Sequence, residues 1–190
     1  MNLHDAAQGR MLLTLARDAI ARKLGTADPD SSWPDSFHPA WLDEPGAVFV
    51  TLTQQDELRG CIGSLEAHRP LGEDLRANAL AAAFNDPRFP PLGKEELDIT
   101  RVEVSLLSRP EPMSFVDEAD ALAQLRPGID GVILTCGWHR ATFLPQVWEQ
   151  LPDPRQFMAQ LKRKAGLAPD LWSEDFHLSR YHVEKFKEAS

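Results

Sequence analysis

The sequence predicts an α+β fold of antiparallel sheets flanked by helices. Alternating apolar and polar runs come in neighbouring pairs joined by short polar turns, as hairpins do. Separate segments carry apolar residues at helical spacing. No repeat, low-complexity tract or linker interrupts the pattern, so these hairpins and helices belong to an α+β arrangement.

Gly9 to Leu24 reads as an amphipathic helix, with Leu12, Leu13, Ala16, Ala19, Ile20 and Leu24 at helical spacing and Gly25 as its stop. Thr26 to Gly46 is loop-like, with Pro29, Pro34, Pro39 and Pro45. Its Trp33, Phe37 and Trp41 need burial, which predicts an ordered loop draped on the core. Ala47 to Thr53 alternates, with Val48, Val50 and Leu52 on one face and Phe49 and Thr51 on the other. Gln54 to Glu57 then turns the chain into a second strand, Leu58 to Leu65.

Pro70 to Phe84 reads as a helix with Glu73 and Asp74 at the positive end of its dipole. Leu71, Leu75, Ala79, Leu80 and Ala83 form its buried stripe. Asp86 to Pro91 ends it in a proline-stiffened turn, because Pro87 disfavours helix at Asp86. Arg101 to Leu107 alternates as a strand, with Glu103 and Ser105 on the polar side. Ala119 to Leu125 reads as a short helix. Gly131 to Cys136 and Arg140 to Leu144 read as a second hairpin around Gly137 and Trp138. Asp153 and Pro154 open a helix that closes at Ala165 with Gly166 after it. Phe176 to Phe186 alternates as a final strand.

With 190 residues, the chain suits one domain, or one domain with a smaller lobe. A net charge of −9 disfavours nucleic acid and anionic membrane surfaces, both of which need a basic footprint. The two cysteines, Cys61 and Cys136, fit no zinc spacing, and the six histidines are scattered. No metal site is expected. No glycine-rich phosphate loop or nucleophile-elbow pentapeptide is present, and no cofactor is implied. Met1 to Arg22 is charged throughout and does not read as a signal peptide. No apolar run approaches a membrane span. These features predict a cytoplasmic protein with free thiols.

Chemistry concentrates in Leu58-Arg59-Gly60-Cys61-Ile62-Gly63. On a regular strand Arg59 and Cys61 share a face. Gly60 and Gly63 leave space for backbone or ligand to come close. A cation beside a thiol raises its thiolate fraction, so Cys61 reads either as a reactive group tuned by Arg59 or as a small buried hydrophobe. Glu103 reads as a general base or as the partner of Arg59. Asp86 and Arg88 read as a local bridge across their turn or as an acid and guanidinium that hold a ligand.

Six stretches carry a resemblance: Gly46 to Leu52, Leu58 to Gly63, Asp86-Pro87-Arg88-Phe89, Val104 to Ser108, Thr142 to Trp148, and Lys164 to Leu167. In this order the chain resembles the AMMECR-type domain family, and more narrowly the prokaryotic members of the AmmeMemoRadiSam system. The resemblance implies a larger and a smaller lobe around a cleft, with the Leu58 to Gly63 motif near it. It implies a Memo-like protein and a radical SAM protein as partners. It supplies no reaction.

The expectations are therefore a single domain over residues 9–187 with two lobes and an N-terminal extension over 1–8. Cys61, Arg59 and Glu103 are its candidate catalytic residues. Gly60, Gly63, Asp86 and Arg88 are candidate ligand-binding residues. The alternative is a non-catalytic module that binds a small molecule or a partner.

Overall fold

Helix propensity carries the first helix beyond its apolar stripe. In the computed structural model, which describes residues 3–27 and 39–189, α1 spans Leu3–Leu24 and so takes in residues that the apolar pattern left out. Alanine and glutamine between Leu3 and Gly9 favour helix without needing a buried face. Gly25 ends it with a φ of 70°, a left-handed conformation that suits glycine. The loop aromatics Trp33 and Phe37 lie outside the described residues, whereas Trp41 is half-buried against the core.

The strands β1 (Pro45–Gln54) and β2 (Glu57–Gly63) pair antiparallel, with Gln54 opposite Glu57. Gln55 and Asp56 make the turn with φ of 50° and 65°, the left-handed pair whose twist matches the strands. A short β3 (Arg69–Pro70) touches the start of β1 and leads into α2 (Leu71–Phe84). A 3-10 turn over Lys94–Ile99 precedes β4 (Thr100–Leu107), which pairs with β1.

Five more strands and two helices follow the turn after β4 in chain order. They are β5 (Glu111–Pro112), α3 (Glu118–Gln124), β6 (Gly131–Cys136), β7 (His139–Phe143), α4 (Pro154–Lys164), β8 (His177–Tyr181) and β9 (Val183–Lys187). The chain divides into two compact units, residues 1–107 with 184–190, and residues 108–183. The final alternating run is not one strand. It breaks at His182, so that β8 joins a sheet of order β5-β8-β6-β7 and β9 joins a sheet of order β2-β1-β4-β9. His182 exchanges backbone and hydroxyl hydrogen bonds with Ser108 at the break.

In the first unit Val48, Val50, Leu52, Val102 and Val104 line one sheet face. They are fully or almost fully buried against Leu12 and Ile20 of α1 and Leu75 and Ala79 of α2. Each such side chain contributes about 1.5–3 kcal/mol when fully buried. The buried side of α2 is not purely apolar, because Asp74 and Asn78 share it. Asp74 accepts from Val48 N at 3.0 Å, Ser64 Oγ at 2.6 Å, Arg69 Nε at 2.8 Å and Asn78 Nδ2 at 3.0 Å. Asp74 does sit in the first turn of the helix, as expected, and it is also a polar rivet between helix and sheet.

The second unit packs Leu122, Val132, Leu134, Phe157, Leu161 and Leu178 around Trp148. Trp148 stacks on Phe157 at 3.7 Å and donates its indole N–H to Asp130 O. Lys162 is only 1% exposed. Its ammonium donates to Glu118 at 2.7 Å and lies 5.5 Å from the Trp172 ring and 5.7 Å from that of Phe176. Among the described residues, no helix is long and apolar enough to cross a membrane.

Asp74→Ala would strip four donors of their shared acceptor at once. We expect it to lower unfolding stability by about 3–5 kcal/mol, the usual cost of breaking a buried charged network, read as a drop in the urea midpoint. A midpoint within experimental error of the wild type would refute the rivet.

Candidate functional site

One inserted residue sets the geometry around Cys61. The β1–β2 ladder pairs Leu52 with Gly60 and Thr53 with Leu58, so Arg59 is the extra residue of a β-bulge. An unbroken ladder from Gln54 and Glu57 would place Cys61 opposite Val50, on the buried face. The bulge moves the register by one, and Cys61 pairs with Thr51 instead. Side-chain faces alternate, so this one-residue slip turns Cys61 onto the outer face of the sheet.

The expected shared face of Arg59 and Cys61 is therefore not formed. Arg59 turns towards the side of Gln54 and is held there by Glu96, with Nε–Oε1 at 2.9 Å and Nη2–Oε2 at 3.0 Å. Glu96 also accepts from Gln54 Nε2 and Gly93 N. This bonding, led by Arg59, pulls the Glu96 carboxyl down to about 2 against the opposing effect of burial. The Arg59 guanidinium carbon lies 6.0 Å from the Phe89 ring centroid, and its buried Nη1 has no hydrogen-bond partner among the described residues. Glu103 is not its partner.

Glu103 faces the same way as Cys61. It sits opposite Thr51 on β4, so a thiol, a hydroxyl and a carboxylate occupy one row across β2, β1 and β4. Thr51 Oγ1 donates to Cys61 Sγ at 3.3 Å. Lys187 of β9 pairs with Glu103 at 2.8 Å, and this hydrogen bond raises the lysine above its ordinary value. Cys61 and Glu103 are half-buried.

Asp86 and Arg88 close the free edge of β2. Cys61 N donates to Asp86 Oδ2 at 2.9 Å, and Arg88 Nη2 donates to Cys61 O at 3.2 Å. The two side chains bind each other through Nε–Oδ1 at 2.9 Å and Nη2–Oδ2 at 2.7 Å. Asp86 Oδ1 also accepts from Arg88 N, which tightens the turn around Pro87. This clip offers Cys61 an acceptor and a donor, as a neighbouring strand would. Arg88 holds the Asp86 carboxyl well below the usual carboxylate range, helped by the two backbone donors and opposed by burial. The hydrogen bond to Asp86 raises Arg88 in turn, with a smaller Coulombic contribution from Cys61. The guanidinium bound to the backbone of Cys61 is thus Arg88, whose side chain stays 53% exposed.

The two glycines serve packing. A Cβ on Gly60 would lie 2.2 Å from Ala82 O, so only glycine lets β2 sit this close to α2. A Cβ on Gly63 would meet the Phe49 ring at 2.2 Å. The space expected for backbone or ligand is taken by helix backbone at Gly60 and by an aromatic ring at Gly63. Among the described residues no group of three or more His, Cys, Asp or Glu side chains could hold a metal ion. Thr51, Glu96 and Lys187 were not among the expected site residues. Thr51 was already visible on the polar face of its strand, but its pairing with Cys61 depends on the bulge.

A family model described as AMMECR1 matches residues 13–186. A protein of Methanothermobacter thermautotrophicus is 39% identical over 183 residues, spanning 95% of this chain and 94% of its own length. A protein of Methanocaldococcus jannaschii is 38% identical over 194 residues, spanning 100% and 94%. The crystal structure of an uncharacterized protein from Pyrococcus horikoshii matches with a TM-score of 0.72 and 37% identity, over 95% of this chain and 91% of that one.

The depressed Glu96 carboxyl has a signed consequence. Its folded value of about 2 lies below the free value of about 4.3, so its contribution is complete above the free value and is lost as pH falls towards 2. Glu96→Gln should be less stable than wild type at pH 7, with the gap in urea midpoint narrowing between about pH 4.5 and 2. A gap that is constant over that range would contradict the Arg59–Glu96 bond.

Proposed function

The chain belongs to the AMMECR1 family, and we propose that it works through the thiol of Cys61, as an enzyme or a component of one. The observation that carries this reading is the orientation of the sulfur. The bulge at Arg59 turns it out of the hydrocarbon face and into a row with a hydroxyl and a carboxylate. A structural cysteine gains nothing from such surroundings, whereas a nucleophile or covalent attachment point needs a polar, reachable setting.

In this reading Arg88 supplies the cation that Arg59 was expected to supply. Two of its nitrogens bind Asp86 and Cys61 O, and the exposed part of the side chain is available to an anionic group on a substrate. Asp86 fixes the backbone of Cys61. Arg59 braces the bulge, and Gly60 and Gly63 let the strand pack closely enough to hold it. A proton-accepting role for Glu103 requires its pair with Lys187 to open. A Memo-like protein and a radical SAM protein are the proposed partners, on the strength of the family resemblance.

A second reading, a binding module without chemistry of its own, is favoured by a different feature. Trp138 is 87% exposed at the tip of the β6–β7 hairpin and stacks on His139 at 3.7 Å. His139 is itself held by Ala165 O at 2.8 Å. A large exposed ring on a fixed mount is the kind of side chain that anchors a protein interface.

Two substitutions separate these readings. Cys61→Ser should abolish activity of the reconstituted system while leaving the circular dichroism spectrum and urea midpoint close to wild type. Trp138→Ala should leave that activity intact but release a co-expressed Memo-like or radical SAM partner if the chain only docks. Arg88→Gln should slow alkylation of Cys61 by iodoacetamide at pH 7 by about threefold to tenfold, the range expected when a thiolate loses an adjacent cation. Full activity in Cys61→Ser would end the thiol proposal.

A further inference from the structure

Among the described residues, Thr51 is the one side chain that touches the Cys61 sulfur through a hydrogen bond, and the sequence alone assigned it no role. Its position is specific. Thr51 and Cys61 stand directly opposite each other, and the N–H and C=O of Cys61 are taken by Asp86 and Arg88 on the outer side. The pair is therefore of the non-hydrogen-bonded kind, in which facing side chains approach most closely. Both side chains are half-buried, so water competes for their contact less than it does at an open surface.

We infer that Thr51 is a positioning residue for Cys61: its hydroxyl donates to the sulfur and favours the ionised thiol over the neutral one. This rests on the reading of Cys61 as the reacting group. The hydroxyl acts through geometry that a methyl cannot copy, while the shape of the side chain is nearly that of valine. A hydrogen bond to a charged acceptor is roughly twice as strong as one to a neutral acceptor, so the contact discriminates between the two protonation states. The bulge makes this possible. Without the extra residue, Cys61 would face Val50, which has no donor to offer.

The experiment measures the alkylation rate of the Cys61 peptide by mass spectrometry in the intact protein, using iodoacetamide at pH 7 and at pH 10. In Thr51→Val the rate at pH 7 should fall about threefold to tenfold, the worth of one such hydrogen bond. At pH 10, where a thiol with an ordinary value of about 8.5 is already ionised, it should stay within about twofold of wild type. Thr51→Ser restores the hydroxyl and should recover most of the pH 7 rate. Equal rates for wild type and Thr51→Val at both pH values would overturn the role of Thr51 while leaving a reactive Cys61 in place. A wild-type Cys61 no more reactive at pH 7 than free glutathione would overturn the thiol reading itself. Should Thr51→Val fold poorly, a Thr51→Ser rate as low as a folded Thr51→Ala rate would equally refute the hydroxyl.

Discussion

The single extra residue at Arg59 decides what the rest of the first unit's sheet can do. A regular ladder would commit Cys61 to the buried face, opposite Val50. The bulge sends Arg59 one way and Cys61 the other. The energetic requirement of such a bulge is that its unpaired residue be held. Glu96 meets that requirement with a two-point ion pair, and the 3-10 turn that carries Glu96 is itself pinned through Gly93 N. The cation and the thiol that looked like partners are thus two ends of one device: the first stabilises the bulge that exposes the second.

The same kind of joint recurs across the chain. Asp74 accepts from Val48 N and Arg69, Asp86 from Cys61 N and Arg88, Glu96 from Gly93 N and Arg59, and Glu188 from Val102 N and Arg17. In each, a carboxylate combines a backbone N–H with a guanidinium. Buried carboxylates are costly unless they are fully bonded, and this combination bonds them while tying a helix or turn to a strand. An excess of acids over bases does not make these residues a solvated face. Several are internal fasteners, and the chain's negative balance says little about them.

Much of the fold was legible because local rules and tertiary needs agree. The turn at Gln55 and Asp56, the stop at Gly25, the cap at Asp153 with Pro154, and the alternation from Val48 to Leu52 all carry a local signal that packing then confirms. The site was legible only in part. Cys61, Asp86, Arg88 and Glu103 do gather on one strand edge and one sheet face; the local bridge read for Asp86 and Arg88 is formed, whereas Cys61 and Glu103 each lack the expected link to Arg59. The close approach of backbone expected at the glycines is found at Gly60, where Ala82 O fills the space, whereas at Gly63 the Phe49 ring fills it. Asp74 holds the first-turn position expected of it, but its bonds to Val48 and Ser64 were not legible, because those partners lie far from it in the chain.

The amino-acid sequence by itself determined the hairpins, where the helices stop and the α+β class, because each depends on contacts among residues a few positions apart. Only the tertiary structure decided which way Cys61 faces, which arginine binds its backbone, and that the last alternating run splits between two sheets. Strand alternation is a rule of period two, and one inserted residue reverses it without leaving a trace in composition. Where that residue falls depends on how β2 meets β1, α2 and the turn carrying Glu96, and those are distances in space rather than along the chain.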